Sequence, residues 1–359
     1  MAIDFTPERW DDIRGDAARW WAGELKRPLI QARLKGHDPR RPEPELKAVH
    51  RTADYPAFVT PDEIVDRWDY ELSCIRYLGD AFPACFPDFG PGVTAAFVGA
   101  HTVVADDTVW FLPGDVPHVS EMAFPYDEAE PWLVRIREIM EIGIDEWNGL
   151  VQIGMTDLGG NLDILSTFRA GSHLLLDLHD HPEEVKCKTW EAHEIWWRYF
   201  DELNETLQPV NPGYTAWTPI YSESLYYMLQ CDVSYSVSPE MFDEFVRPEL
   251  EATCKRLTNP FYHLDGPGAL PHLDSLLAID ELKGIQWIPG EGNPDVTQWP
   301  EVWRKIRDAG KLIQFSGGIN TFETIVRQLG SAEGIVFLFN TDVSREQEVL
   351  DFLWKYEAV

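Results

Sequence analysis

From about residue 80 onward the chain repeats one grammar: a short apolar or aromatic run, a cluster of Gly, Pro, Asp or Asn, then an amphipathic stretch. That reads as strand, loop and helix. The runs are "AFPACFP" (81–87), "LVQIGMT" (150–156), "YMLQCDV" (227–233), "FYHLD" (261–265), "GIQWIP" (284–289), "KLIQFS" (311–316) and "GIVFLFN" (334–340); with "RPLIQARL" (27–34) they number eight. Continuously apolar strands separated by helices imply a parallel sheet covered on its outer face, and eight such units imply an α/β fold of the closed (β/α)8, TIM-type barrel. An open doubly wound sheet is the alternative. No Gly-x-Gly-x-x-Gly follows any strand, which counts against its dinucleotide-binding form.

Helix signals fit the same plan. "SPEMFDEFVRPELEATCKRL" opens with Ser238 as N-cap, Pro239 in the first turn, and Glu240 and Asp243 where carboxylates suit the helix dipole. "DVTQWPEVWRKIRDAGK" ends in Gly and Lys, a helix terminus. Two embellishments are expected: a helical cap over residues 1–26 carrying Trp10, Trp20 and Trp21, which covers the barrel floor or a partner, and an aromatic β-like insertion over 213–226 ahead of the fourth strand. With no repeat beyond the strand and helix unit and no flexible linker, residues 1–359 read as one barrel domain.

The formal charge of −31 excludes a basic footprint for nucleic acid and disfavours anionic membranes. The five cysteines (Cys74, Cys85, Cys187, Cys231, Cys254) are scattered and never in a C-x-x-C pair, so neither a disulfide framework nor a zinc ribbon is indicated. With no export signal or eighteen-residue apolar run, the expected location is the cytoplasm. The Trp-rich N-terminal segment raises the expectation of a homodimer.

In a barrel of this type the side chains that do chemistry sit where strands end, on the C-terminal face. Those positions hold Arg33 and His37, Asp88, Thr156 and Asp157, Cys231 and Asp232, His263 and Asp265, Glu291, Ser316, and Asn340, Thr341 and Asp342. The lip is acidic with one imidazole near its centre. Asp88 and Asp157 can equally cap their turns, Ser316 opens the glycine turn "SGGIN", and Cys231 reads as core; His263, beside Asp265 and the turn "GPG", has little packing purpose. His179 and His181 in "LHDHPEE" read as surface or helix-start residues. His263 and Asp265 are suited to zinc or a harder divalent ion, with a third ligand from Glu291, Asp342 or Asp232. They serve a metal-free acid and base equally well.

The order of motifs resembles the uroporphyrinogen decarboxylase superfamily, which also contains corrinoid-linked methyltransferases acting on methylated thiols, amines and alcohols. The similarity runs from "RPLIQAR" to the C-terminus through "DLGGNLDILSTFRAG", "SPEMFDEFVRPELE", "FYHLDG" and "GGINTFETIVRQLGS". It is nearest to a branch of corrinoid-protein-linked members sharing "YHLDGPGALPHLD" and "GIQWIPG". In the decarboxylases two arginines after the first strand bind substrate carboxylates; Arg33 is in register with the first, and His37 stands at the second. Asp88 corresponds to the catalytic aspartate. The family tyrosine is replaced by Thr167 or Phe168, and the histidine after the last strand is missing from "FNTDVS". Many buried carboxylates need cationic partners, so an acidic lip is the wrong host for an octa-anionic porphyrinogen. In the methyltransferases His-x-Cys-Gly at the fifth strand and a Cys after the eighth hold zinc; here Asp265 takes the first Cys position, and Thr341 or Asp342 stands near the second. Oxygen donors give zinc less charge than thiolates, favouring ethers, amines or hydroxylated compounds over thiols.

The resemblance and the residues together lead to three expectations. The first is a methyltransferase that passes a methyl group between a small substrate and a separate corrinoid protein. In it His263 and Asp265, with Glu291 or Asp342 and a zinc, or with Asp88 and Asp157 as acids and bases, work on a substrate held by Arg33, Trp217, Tyr221, Tyr227, Ser316 and Asn340, with Tyr226 beside them. The second is a decarboxylase of a smaller acid, anchored by Arg33 and protonated by Asp88. The third is a binding protein that kept the fold and lost the chemistry.

Overall fold

Strand β1 (Leu29–Lys35) is apolar except at Gln31, Arg33 and its last residue. It is almost wholly buried because it has a neighbour on each side. The others follow in order as β2 (Ile75–Gly79), β3 (Ala84–Cys85), β4 (His101–Val104), β5 (Val109–Leu112), β6 (Gln152–Ile153), β7 (Tyr226–Leu229), β8 (Asn259–Asp265), β9 (Gly284–Ile288), β10 (Leu312–Ser316) and β11 (Ile335–Asp342). The structure, a computed structural model, describes residues 3–359. All eight runs read from the sequence are strands, and helices intervene between them.

Seven strands form one sheet in the order β2-β1-β11-β10-β9-β8-β7, parallel throughout except for the antiparallel edge strand β2. The remaining members of the expected barrel, β3 and β6, pair in parallel with each other. Among the described residues no ladder joins that pair to β1 or β7, so strand pairing does not close the barrel as expected. The reasons are local. Pro83 and Pro87 flank β3 and remove two ladder donors. Beyond β6, the Met155 N–H donates to the carbonyl of Thr215 at 3.0 Å, so the loop at 213–216 takes the place a strand would fill. Gly154 permits that approach, since a Cβ there would lie 2.6 Å from the Ala216 carbonyl oxygen.

The helix Arg9–Trp21 covers the floor, the N-terminal ends of the strands. Trp10 and Trp20 are 2% and 1% exposed; the Trp10 indole N–H donates to Leu150 O at 3.1 Å, and Trp20 stacks on Phe261 of β8. Each buried indole contributes roughly 4–6 kcal/mol of apolar burial before entropy is counted. Both are packed within the chain. Met1 and Ala2, the first residues of the expected cap, lie outside the described residues. The insertion over 213–226 is less β-like than expected: it carries one antiparallel bridge, Tyr214 to Ser222, and Tyr226 already belongs to β7.

The expected helix after Ser238 forms, with the Ser238 hydroxyl accepting from the Met241 N–H at 3.3 Å. It breaks into Pro239–Phe245 and Arg247–Arg256 at Val246, because Pro248 cannot donate to the preceding turn. The helix Pro182–Leu207 packs Trp196 and Phe200 against Tyr227 on the outer face of β7. Strand β2 and the hairpin β4–β5 have no counterpart in the strand and helix grammar. Among the described residues no helix is long and apolar enough to cross a membrane.

Candidate active site

Two cavities open at the C-terminal ends of the strands. The larger, about 410 Å³, is lined by Arg33, His50, Arg51, Asp88, Thr215 and Trp217 among others. The smaller, about 260 Å³, lies between Cys231, Asp232, Tyr235, Tyr262, His263 and Asp265. Trp217 of the first meets His263 of the second edge to face, ring centroids 4.9 Å apart, so this pair stands at their boundary. A roomier hollow of about 670 Å³ runs along β2 around Asp4, Arg9, Arg27 and Asp80, apart from these two; there Arg27 is already paired with Asp16 and Asp80.

In the larger cavity Arg33 has no carboxylate partner. Its Nη2 reaches the Phe82 carbonyl only at 3.5 Å, and its Nε is buried without an acceptor. Burial pushes its pKa down, with little opposition from the nearby Tyr77 and Cys85. A guanidinium enclosed in this way carries a standing desolvation cost that an anion in the cavity would offset. Asp88 is held at the other side: its carboxylate accepts from the Gly90 N–H at 3.0 Å, and its own N–H donates to the Thr52 hydroxyl at 3.0 Å. Burial raises its pKa against the opposing pull of Gly90, Arg51 and His50.

At the smaller cavity His263, Gln286 and Gln314 share one register across β8, β9 and β10. The Gln286 Nε2 donates to Gln314 Oε1 at 2.7 Å, which turns Gln286 Oε1 toward the imidazole. The ring therefore donates from Nδ1 to Gln286 and keeps its lone pair on Nε2. Burial lowers the His263 pKa, against the upward pull of Gln286 and Asp265, so the ring is neutral near pH 7. It is built as a proton acceptor at Nε2.

Between the cavities runs a line of acids. Asp157 accepts from the Gly159 N–H at 2.9 Å and from Gln230 Nε2 at 3.1 Å. Burial pushes it up to about 7, aided by the charges of Asp232 and Asp88 and opposed by those two hydrogen bonds. Asp163, the last residue of "GGNLD", is also pushed up to about 7, by burial and then by Asp232; it accepts from the backbone N–H groups of Gly160, Asp232 and Val233. Asp232 keeps part of its surface open, yet the walls around it and Asp265 raise its pKa too. Acids in this state can give a proton at neutral pH.

Other expected positions do not converge on this place. Thr156 is buried and donates to Pro87 O at 2.7 Å. Tyr221 does not wall the mouth: it packs at the floor against Trp10 and Phe82. Tyr227 is fully buried behind β7, its hydroxyl accepting from the Leu158 N–H at 2.7 Å, and Tyr226 points its hydroxyl at Thr218. Both brace the loop instead of facing a ligand. His37 lies beyond the rim, 4.0 Å from Asp4. Ser316 at the end of β10, Asn340 near the end of β11 and Glu291 on the loop after β9 are exposed and line neither cavity, and Asp342 caps the turn after β11 by accepting from the Ser344 N–H at 2.9 Å.

The expected metal ligands do not all assemble: Asp232, His263 and Asp265 line one cavity, but Glu291 and Asp342 are not among its lining, and among the described residues no group of three His, Cys, Asp or Glu side chains is arranged to hold an ion. The residues present do not fit a tetrahedral zinc at this place. Sequence reading passed over Gln286, Gln314 and Asp163. A signal for the glutamines was there: Gln31, Gln152, Gln286 and Gln314 each interrupt an otherwise apolar strand run, and a buried amide needs a partner.

Neither protein families nor curated proteins give a match to this chain. Among solved structures, a methyltransferase from Methanosarcina mazei superposes over 92% of this chain and 93% of its own, with a TM-score of 0.58 at 14% identity. The two share a fold from end to end. A GH138 enzyme targeting pectin rhamnogalacturonan II aligns over 74% of this chain and 36% of its own, with a TM-score of only 0.28.

Proposed function

We propose that this chain is a methyl-transfer enzyme whose substrate is a small methylated compound with an anionic group, held in the larger cavity. The reading rests on one observation: Arg33 sits in that cavity without a carboxylate partner while Asp88, facing the same space, is pushed toward its protonated form. The end-to-end fold likeness to a methyltransferase supports it; we take the seven-stranded sheet and the separate β3–β6 pair to be a (β/α)8 barrel completed by loop contacts.

In this reading Arg33 anchors the anion, and the flat face of Trp217 orients the methylated end. As the bond from methyl carbon to heteroatom breaks, the electron pair stays on the heteroatom, which takes a proton from Asp88; Asp157 stands behind as a further proton source. His263 Nε2, on the side of the smaller cavity, is placed to accept a hydrogen bond that orients the substrate. A corrinoid carried on a separate protein would supply the nucleophile that receives the methyl group. A surface suits such a partner: the hairpin β4–β5 turns Val103, Trp110 and Leu112 outward (45%, 52% and 43% exposed), and its Ala105 carbonyl accepts from the cavity residue Arg51.

A second reading draws on the same pair. Arg33 as carboxylate anchor and Asp88 as donor of a proton to carbon also describe a decarboxylase of a small acid. One experiment separates them: a panel of O-, N- and S-methylated carboxylates is incubated with the protein, with and without free cob(I)alamin. Formation of methylcobalamin that depends on protein supports methyl transfer. Carbon dioxide release without the corrinoid would replace it with the second reading.

A further inference from the structure

Two histidines outside the candidate active site face each other. His118 stands at the start of the short turn Val119–Glu121, on the segment leading away from hairpin β4–β5, and His181 is the joint between the helices Ser172–Asp180 and Pro182–Leu207. Their Nε2 atoms are 3.2 Å apart, with ring planes at 79°. Two imidazoles on one tetrahedral zinc, each about 2.0–2.1 Å from the ion, hold their nitrogens roughly 3.3 Å apart. The outer nitrogen of His118, Nδ1, lies 2.8 Å from the Ser120 hydroxyl and 3.3 Å from the Ser120 backbone N–H, so Ser120 serves either tautomer: its N–H donates to Nδ1 in the one, and in the other, the one an ion selects, its hydroxyl accepts the Nδ1 proton and leaves the Nε2 lone pair free.

We infer that His118 and His181 form a two-histidine site for a divalent transition ion of the zinc, nickel or copper kind, its other positions filled by water. Imidazole nitrogens select these ions over magnesium and calcium, which prefer oxygen. The two ligands are already held in place without the ion. Arg169 donates to the Pro117 carbonyl at 2.8 Å and to Asp177 Oδ1 at 2.9 Å, which fixes the His118 segment against the helix that ends at His181. An ion here would add a second clasp between the segment carrying hairpin β4–β5 and the body of the protein. The site is independent of the proposed methyl transfer.

The test uses the full chain, freed of metal with a chelator and then titrated with Zn²⁺ and Ni²⁺ by calorimetry, with hydrogen exchange of residues 113–122 followed in parallel. One equivalent should bind and slow exchange in that segment, and a hundredfold excess of Mg²⁺ should not displace it. His118→Gln and His181→Gln should each weaken binding by about tenfold or more, and both rings are exposed enough that melting temperature serves as a folding check. His179→Gln, the neighbouring exposed histidine, should leave binding unchanged. Absent binding, undiminished binding in the His118→Gln/His181→Gln double variant, or equal loss on His179→Gln would each overturn the assignment.

Discussion

Gln286 takes the Nδ1 proton of His263 on one side of its amide and gives its own amide proton to Gln314 on the other, at 2.7 Å. The tautomer of the one imidazole at the mouth is thus set two strands away. Gln286→Leu removes the acceptor and leaves the Nδ1–H without a partner, and activity should fall roughly 10–100-fold. Gln286→Glu replaces the amide by a charge and should raise the His263 pKa. Long-range nitrogen–proton NMR of the imidazole reads both outcomes. A wild-type ring protonated at Nε2 would contradict the arrangement.

Asp157 gives a pH signature. Its pKa rises from 3.8 to about 7 on folding, so between those values the folded chain holds a proton that the unfolded chain has lost. The contribution of this group to stability therefore falls as pH rises through that window, and the penalty is complete above about 7. Asp157→Asn keeps the acceptor for the Gly159 N–H and removes the charge. It should stabilise the protein by about 1–3 kcal/mol at pH 8, with solvent access trimming the larger value a three-unit shift implies, and by little at pH 4. Urea unfolding at both pH values checks this; equal effects at both would rule out the buried acid.

The strand and helix alternation was legible because it is written in local periodicity. Each of the eight runs became a strand, as did the break after Ser238 become a helix start. What was not legible depended on contacts distant in sequence. Tyr221 and Tyr227 belong to aromatic runs near the mouth in sequence, yet one packs on Trp10 at the floor and the other behind β7, a difference of facing that period and composition do not fix. Arg33 and Asp88 could be placed at strand ends, but that Arg33 lacks a carboxylate partner follows only from how segments distant in sequence fill the space around it. That strand pairing does not join β3 and β6 to the main sheet traces to Pro83, Pro87 and the loop at Thr215, whose seat beside Met155 no local pattern announces.

Arg33 should bind anions and cost stability when the cavity is empty. Arg33→Met removes an enclosed guanidinium that has no counter-charge, so the variant should be as stable as the parent or up to about 1 kcal/mol more stable. Small carboxylates that raise the melting temperature of the parent should have no effect on it. Arg33→Lys should not restore binding, because a single ammonium cannot reproduce the two-pronged contact of a guanidinium. Carboxylate-induced stabilisation that survives in Arg33→Met would place the anion elsewhere.

Gly90 couples the hairpin to Asp88. It has φ of +93°, a Cβ added there would lie 2.4 Å from the Val109 Cβ, and its N–H is the one that Asp88 accepts. Gly90→Ala thus meets two obstacles, a backbone conformation that side chains resist and a collision with β5, and should cost about 2–4 kcal/mol. The chain can relieve the collision only by moving the hairpin or the 88–92 loop. Moving the loop withdraws the N–H that lowers the Asp88 pKa, so the Asp88 titration should shift upward. Moving the hairpin alone leaves that titration in place and exposes residues 101–112 to protease. Carboxylate carbon NMR of Asp88 together with limited proteolysis tells which segment yields, and a variant unchanged in both stability and titration would show that the hairpin is not packed on this loop.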